Sequence, residues 1–270
     1  MARPLKDKER RPEEKETKVS RSDPDSGYMV RDGKPKGFFY LDHRTVDGKL
    51  AIITDTYATP ANVHDSIVYL SRLDRQQARF SFDVGAVGLD AGYATPGIAK
   101  GLEDRQILAV TGYSNPTPPR DGMMRKSKFV FEPEADGYRC PEGQLLTYST
   151  TDRNGYKHYT SDQALCANCP LLASCTSNAK AIRTITRHVW AGARERTDSH
   201  RLTAWGKAIY TRRKETVERS FADAKQLHGH RYARFRSLVR VRCQCLLAAA
   251  AQNIKKIAMA LTKPLKIAHA

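Results

Sequence analysis

The stretch VGAVGLDAGYATP, residues Val84–Pro96, carries the clearest indication of the fold. Its first half is a short apolar run typical of a buried strand, and the run ends at Asp90 with Gly92 close behind. A helix is predicted to begin near Thr95 and Pro96, because proline is favoured at the first helical position. Strand, turn and helix in this order predict one unit of an α/β sheet.

The flanking segments extend this unit on both sides. Upstream, residues 37–60 contain two extended apolar runs around Asp47 and Gly48, which predicts an antiparallel hairpin. Apolar residues at helical spacing over 63–80 predict a helix, and QILAVTGY, residues 106–113, predicts a further buried strand. The order of these elements predicts a mixed α/β sheet covered by helices.

The chain divides into four segments by composition. Residues 1–27 mix both charge signs without apolar periodicity and are interpreted as a flexible lead-in, and residues 28–113 hold the predicted sheet and helices. Residues 114–199 are rich in loops and cysteine and are interpreted as an insertion. Residues 200–270 contain two long helical stretches that complete the core.

The charge distribution indicates a polyanionic partner. The 270 residues carry a formal charge of +17, and residues 200–270 alone contain 16 Lys and Arg against 3 Asp and Glu. Phosphates attract such a surface and binding releases counterions, so nucleic acid is the expected partner. A membrane is not expected, since the longest apolar run is CLLAAAA, residues 245–251. We expect a cytoplasmic, nucleoid-associated protein with reduced thiols.

Two carboxylates are candidates for metal chemistry. Asp90 stands at the carboxyl end of a predicted strand, where open α/β sheets bind ligands; the alternative is an ordinary turn aspartate. Glu218 lies seven residues before Lys225 and four after Lys214, so on an α-helix all three share one face. This set suits a metal that binds phosphate, and the alternative is a series of surface ion pairs.

Four of the six cysteines predict a zinc site. They lie within the predicted insertion, where the forms CPEG and CANCP place cysteine beside turn-forming residues: Cys140, Cys166, Cys169 and Cys175. His158 is an alternative ligand, and four ordinary reduced cysteines are the alternative interpretation. Cys243 and Cys245 lie in an apolar helical stretch and are interpreted as core or boundary residues.

The whole pattern resembles the RNase H-like core of bacterial insertion-sequence DDE transposases, most closely the group typified by insertion sequence 1182. The DAGY motif at Asp90 matches the second catalytic Asp of that family. The helical signature Tyr, Arg, Glu, Lys is matched by Tyr210, Arg213, Glu218 and Lys225. Four residues separate Arg213 from Glu218 where the wider superfamily has three, and Lys214 has the usual spacing.

The resemblance implies a function and further site residues. It implies metal-dependent cleavage of DNA and strand transfer in transposition, with Mg²⁺ or Mn²⁺ held by Asp90 and Glu218. His64 and Asp65, in the stretch TPANVHD, match a loop that borders the family's site. The expected partners are transposon ends and target DNA, bound by a homodimer. Cationic side chains of the C-terminal segment are predicted DNA contacts: Lys214, Arg231, Arg234, Arg236, Arg240 and Arg242.

One family feature is missing from the sequence pattern. In the family a first strand carries a catalytic Asp upstream of the stretch DPDSGY, and no such strand is recognisable before residue 28. We therefore expect an RNase H-like sheet without its first strand, in a truncated and inactive copy of the transposase. Two alternatives remain. One is a non-catalytic, zinc-stabilised DNA-binding protein, and the other is a stand-alone metal-dependent nuclease.

Overall fold

A computed structural model describes residues 18–262 except 32, 34, 114–118, 120 and 121. The chain divides into two compact units. The terminal unit consists of Met1–His64 and Thr216–Ala270, and the central unit consists of Asp65–Glu215. Most of the predicted flexible lead-in, residues 1–17, lies outside the described residues.

Strands and helices alternate irregularly along the described residues. The strands are β1 Gly27–Met29, β2 Gly37–Val46, β3 Ile53–Pro60, β4 Ala86–Leu89, β5 Leu108–Thr111, β6 Val130–Glu132, β7 Gly137–Arg139, β8 Leu145–Thr151, β9 Tyr156–Thr160 and β10 Thr184–His188. The α-helices are α1 Asp65–Phe80, α2 Pro96–Glu103, α3 Gln163–Ala167, α4 Leu172–Cys175, α5 Ala191–His200, α6 Ala204–Arg212, α7 Arg219–Leu227 and α8 Leu238–Leu261. The fold is thus mixed α/β, but the described strands form three separate sheets and not the single mixed sheet that the sequence predicted.

The terminal unit is built on the predicted hairpin. Strands β2 and β3 pair antiparallel, with Tyr40 opposite Pro60 and Asp42 opposite Ala58. The connection is longer than a two-residue turn: Asp47 N donates to Ile52 O at 2.8 Å, closing a wider loop. Helix α8 packs against β3, where Ala58, Val241 and Cys245 form the buried cluster.

A short strand precedes the hairpin in the structure. Strand β1 pairs antiparallel with β2, so the sheet has the order β1-β2-β3. Gly27 opens β1, and a Cβ there would lie 2.5 Å from Ala61 N, so this close approach requires glycine. A three-residue strand has no periodicity, so no sequence pattern predicted it. It begins within the stretch DPDSGY and not upstream of it, so the expected absence of the Asp-bearing first strand stays a prediction. The residues of β1, Gly27, Tyr28 and Met29, include no carboxylate.

The end of the predicted lead-in is held in place by hydrogen bonds. Ser26 N donates to Asp23 O at 3.0 Å, closing a turn. Asp23 Oδ1 accepts from Ser237 N at 3.1 Å, and Asp25 Oδ2 accepts from Leu238 N at 2.9 Å. Ser237 makes no side-chain cap for α8, so these two aspartates supply it. Residues 23–26 are therefore part of the folded terminal unit.

The central unit contains two sheets. Strands β4 and β5 pair parallel, as expected for strands joined by the crossover helix α2, which Thr95 caps and Pro96 opens. Their core includes Leu73, Leu89, Ile98, Leu102, Ile107 and Ala109. The second sheet is antiparallel, in the order β10-β9-β8-β7-β6, and has its own core: Phe129, Tyr138, Leu146, Tyr159 and Ile185.

The segment predicted to be a loop-rich insertion is more regular than expected. Strands β6 and β7 have only three residues each, yet register with their neighbours extends them into a continuous sheet.

Within the described ranges, no helix combines the length and apolar character needed to cross a membrane.

Candidate functional site

Asp90 lies directly after β4, at the carboxyl end of the parallel strand pair. Its Oδ1 accepts from Ala91 N at 2.7 Å and caps the 3₁₀ turn Ala91–Tyr93. The side chain is exposed. The turn role considered for Asp90 is therefore observed, and exposure at a strand end leaves the carboxylate open to solvent ions.

Tyr210 reaches the same strand ends from α6. Gly112 follows β5, and a Cβ at that position would lie 2.7 Å from Tyr210 Oη and 2.9 Å from Ala91 N. The hydroxyl of Tyr210 thus lies close to the turn that begins at Asp90. Only glycine permits this approach, a constraint that the sequence analysis missed.

Arg213 packs beside Tyr210 against β4. A Cβ at Gly88 would lie 3.4 Å from Arg213 Cγ, and the Arg213 guanidinium carbon is 5.0 Å from the centre of the Tyr210 ring. Such a cation over an aromatic ring is favourable and holds both side chains. The structure therefore brings together three of the predicted residues, Asp90, Tyr210 and Arg213.

Asp65 belongs to the same neighbourhood. Burial raises the pKa of Tyr93, and the negative charges of Asp65 and Asp90 raise the pKa further. Tyr93 also packs edge-on against Tyr69, with ring centroids 5.2 Å apart. Acidic side chains thus flank Tyr93 from the start of α1 and from the end of β4. His64, predicted with Asp65, belongs to the terminal unit and is exposed.

The helix that carries Glu218 is not α-helical throughout. A π-helix spans Lys214–Glu218 between α6 and α7, so the α-helical spacing assumed for Lys214 and Glu218 does not apply there. Glu218 and Lys225 are exposed, as is Lys214. Below them α7 buries Ser220 and Ala224, which fixes the helix on the terminal unit.

A buried ionic cluster, missed in the sequence, holds α7 to β2. Arg44 NH2 donates to Asp42 Oδ2 at 2.6 Å, and both side chains are almost fully buried. Arg44 NH1 donates to Ser220 Oγ at 2.8 Å and to Ser220 O at 3.1 Å. The guanidinium also lies over the ring of Phe221, 4.6 Å from its centre. Arg44 therefore links strand and helix.

His230 and Thr56 complete the surroundings of Asp42. His230 Nε2 lies 3.1 Å from Asp42 Oδ2, and Thr56 Oγ1 donates to Oδ1 at 2.5 Å. Burial alone opposes ionisation, but the hydrogen bond with His230, the charge of Arg44 and the Thr56 hydroxyl together hold the pKa of Asp42 below its ordinary value. Asp42 is thus a buried, paired carboxylate.

The same cluster is not a good metal site. Asp42, His230 and Cys245 place ligand-type atoms within 4.8 Å of one another. Both oxygens of Asp42 are already used by Arg44, His230 and Thr56. Burial, with the nearby charge of Asp42, raises the pKa of the Cys245 thiol to about 12, so it stays protonated. A cation would have to displace Arg44.

The basic loop between α7 and α8 is held from behind by Gln244. Gln244 Oε1 accepts from Arg234 N at 2.9 Å, and Gln244 Nε2 donates to Tyr232 O at 2.9 Å. Four of the predicted DNA contacts on this loop and the start of α8 have exposed side chains: Arg231, Arg234, Arg236 and Arg240. The arginine side chains supply the positive charge of this loop, and the side-chain amide of Gln244 fixes the loop backbone at Tyr232 and Arg234.

Arg242 differs from these four. Its Nε donates to Ala58 O at 3.1 Å, and its NH2 donates to Tyr57 Oη at 2.8 Å. The guanidinium carbon lies 4.5 Å from the centre of the Tyr57 ring. Arg242 thus ties α8 to β3, and its contact with DNA stays a prediction.

The four cysteines of the central unit line one pocket: Cys140, Cys166, Cys169 and Cys175. His158, the alternative ligand, lies on β9 with Nε2 3.4 Å from Asp152 Oδ2 and is not among the pocket's lining residues. In α8, Cys243 is exposed and Cys245 is buried, which agrees with core and boundary positions.

Comparison with known proteins adds one finding. A family model described as a transposase DDE domain matches residues 139–258. The matched range contains the four pocket cysteines, Tyr210, Arg213, Glu218 and Lys225, whereas Asp90 lies upstream of it. No curated protein and no solved structure matched the chain. Over residues 139–258 the chain is thus similar to a transposase DDE domain, and this match supports a DDE transposase.

Proposed function

We propose that the protein is a DDE transposase of an insertion sequence, of the group typified by insertion sequence 1182, with an RNase H-like catalytic core. The substrate of that group is DNA, at transposon ends and target, and its reaction is metal-dependent strand cleavage followed by strand transfer. We propose that this chain is an inactive copy. The observation that carries the proposal is the family match over the segment bearing Tyr210, Arg213, Glu218 and Lys225. The packing of Tyr210 and Arg213 beside Asp90 supports it.

In this proposal, Asp90 and Glu218 each contribute a carboxylate to Mg²⁺ or Mn²⁺. Both side chains are exposed and anionic, which fits hard cations that keep water and phosphate among their ligands. When bound, the metal would activate water and stabilise the leaving oxygen. Arg213 and Tyr210 orient the end of strand β4 at Asp90. Lys225 and Lys214 are exposed, and in this proposal they bind the phosphates of DNA. Asp65 adds negative charge near Tyr93, as Asp90 does, and His64 is the residue before Asp65.

The π-helix accounts for the unusual spacing of the helical signature. A π-helix has i to i+5 hydrogen bonds, one residue more than the α-helical repeat. Lys214–Glu218 is the place where this chain has four residues between Arg213 and Glu218 instead of three. We infer that the extra residue is absorbed in the π-helix, so that Arg213 rather than Lys214 keeps the arginine role. Short π-helices are frequent at functional sites.

The metal assignment predicts a loss of affinity for Mn²⁺, a spectroscopic substitute for Mg²⁺. Asp90→Asn and Glu218→Gln should each weaken Mn²⁺ binding roughly tenfold or more, because each removes an anionic ligand. Electron paramagnetic resonance of free Mn²⁺ during a titration measures this. Asp104→Asn is the control, since Asp104 is an exposed carboxylate paired with Lys100 at the surface. Unchanged affinity in both site variants would favour the non-catalytic DNA-binding protein instead.

A second prediction concerns activity. Strand β1 carries no carboxylate, and Asp42 on β2 is buried in ion pairs, so neither supplies a third metal ligand. We therefore expect this 270-residue chain alone to give no detectable excision of its element from a donor plasmid. The control is the same chain with Asp90→Ala, which should be indistinguishable from it. Excision that disappears in Asp90→Ala would show an active enzyme completed by another carboxylate.

A further inference from the structure

Two turns and a short helix bring the four pocket cysteines to one place in the central unit. Cys140 follows β7, Cys166 lies in α3, Cys169 follows α3, and Cys175 ends α4. Cys140 and Cys175 also pack against the core of the five-stranded sheet. The pocket is therefore part of the folded region around this sheet.

The first turn has the form of a metal knuckle. Cys140 N donates to Gln144 O at 2.9 Å, and Gly143 N donates back to Cys140 O at 2.9 Å. Gly143 has φ +78, a left-handed conformation that side chains rarely adopt. This tight reversal after β7 fixes the backbone of Cys140, a residue that lines the pocket.

The second group of thiols is fixed in the same way. Cys169 N donates to Cys166 O at 3.1 Å, which closes the C-x-x-C turn. Leu172 N donates to Cys169 O at 3.0 Å, and Cys175 N donates to Leu171 O at 2.9 Å, so one short helix joins Cys169 to Cys175. The three thiols are thus carried by ten consecutive residues, 166–175.

Arg183 holds this segment to the sheet. Its NH1 donates to Cys175 O at 2.7 Å, and its NH2 donates to Met124 O at 3.0 Å. The guanidinium carbon lies 5.3 Å from the centre of the Phe129 ring. Because Arg183 precedes β10 and Phe129 precedes β6, one side chain joins the cysteine segment to both ends of the sheet.

We propose that Cys140, Cys166, Cys169 and Cys175 bind one zinc ion in a tetrahedral, all-thiolate structural site. Four thiolates in a tetrahedral arrangement are typical of structural zinc sites, and the same ligand set also binds iron–sulfur centres, so metal analysis has to distinguish the two. Among the described residues, no three of these four sulfur atoms lie within 4.8 Å of one another. Zinc binding would therefore bring the side chains closer together. The zinc ion would have a structural role and take no part in the DNA reaction. A negative result for zinc would therefore not count against the proposed transposase function.

The test is metal analysis of the full chain purified without added zinc. We expect about one zinc per chain, and a fall to near zero in the double variant Cys166→Ser/Cys169→Ser. Cys243→Ser is the matched control, because Cys243 is an exposed cysteine outside the pocket. Equal loss of zinc in the Cys243 variant, or a folded wild-type chain containing no zinc, would overturn the proposal.

A measurement on the wild-type chain covers the case in which the double variant does not fold. Titration with an organomercurial should release the zinc to a colorimetric chelator as four thiols react. Replacement by Co²⁺ should give the visible bands of a tetrahedral thiolate site. Iron in place of zinc, or a disulfide between any two of the four cysteines in the freshly purified chain, contradicts it.

Discussion

Asp42→Ala is expected to destabilise the terminal unit by about 3 to 5 kcal/mol, the usual cost of removing one partner from a buried ion pair. Arg44 would keep its buried charge and lose the carboxylate that neutralises it. His230 and Thr56 would lose their acceptor at the same time. Because Arg44 also holds Ser220, the contact between β2 and α7 should loosen.

Hydrogen exchange in peptides from β2 and β3 measures this effect locally. Trp190 and Trp205 both belong to the central unit, so their fluorescence reports the unfolding of that unit. The unfolding transition measured in this way should be the same in Asp42→Ala as in the wild-type chain. Arg219→Ala is the control within the terminal unit, since its ion pair with Asp223 is exposed and should contribute about 1 kcal/mol or less. Comparable effects of Asp42→Ala and Arg219→Ala would refute the importance of the buried cluster.

The same cluster predicts a pH dependence. The pKa of Asp42 lies below the ordinary value of 3.8 in the folded protein. A carboxyl whose pKa is lowered on folding stabilises the folded state above its unfolded pKa and loses this contribution as the pH falls through the folded value. The protection of the β2 amides against hydrogen exchange, corrected for intrinsic exchange, should therefore have its full value above about pH 4 and decline at lower pH. Asp42→Asn should lack this decline.

Reversing Arg234 and Arg236 to Glu is expected to weaken binding of duplex DNA by roughly a hundredfold or more at moderate salt. Both side chains are exposed on the loop that Gln244 supports. Each phosphate contact contributes about 0.9 to the slope of log K against log salt, so the slope should fall by about 2. Fluorescence anisotropy with unrelated duplexes should show the same loss for each sequence, because phosphate contacts carry no base information.

The control for this pair is Arg153→Glu with Lys180→Glu. These exposed cations lie on turns of the central unit and give the same change in net charge. If DNA recognised only total charge, both double variants would bind equally weakly. A clear difference between them places the DNA surface on the loop between α7 and α8, and equal weakening would contradict that placement.

Local patterns in the sequence predicted much of the fold. The hairpin, strand β4 followed by Asp90, helix α2 opened by Pro96, and strand β5 are all present in the structure. Each depends on residues close in sequence, such as an apolar run, a turn dipeptide or a cap. Strand β1 and the π-helix escaped prediction, because three residues show no period and a single extra residue leaves the helical pattern intact.

Only part of the candidate site could be predicted from the sequence, and the reason is different. Asp90, Tyr210 and Arg213 were found through motif residues, and the structure places them together. The approach of Tyr210 depends on Gly112, and the anchoring of α7 depends on Asp42 meeting His230, 188 residues away. No local signal reports such pairs. The catalytic roles of Asp90 and Glu218, and the zinc site, stay predictions until tested.

The terminal unit joins the two ends of the described chain, and this has a consequence for synthesis in the cell. Ile53 N donates to Asn253 Oδ1, and the capping aspartates 23 and 25 meet the start of α8, across 200 residues or more. At about 5 to 20 residues per second, roughly 10 to 40 seconds pass between translation of β3 and of α8. During that interval the ribosome carries a hairpin with its buried face uncovered, while the central unit emerges as one uninterrupted segment that can fold first. Nascent chains stalled before α8 should therefore be favoured substrates for chaperones and proteases.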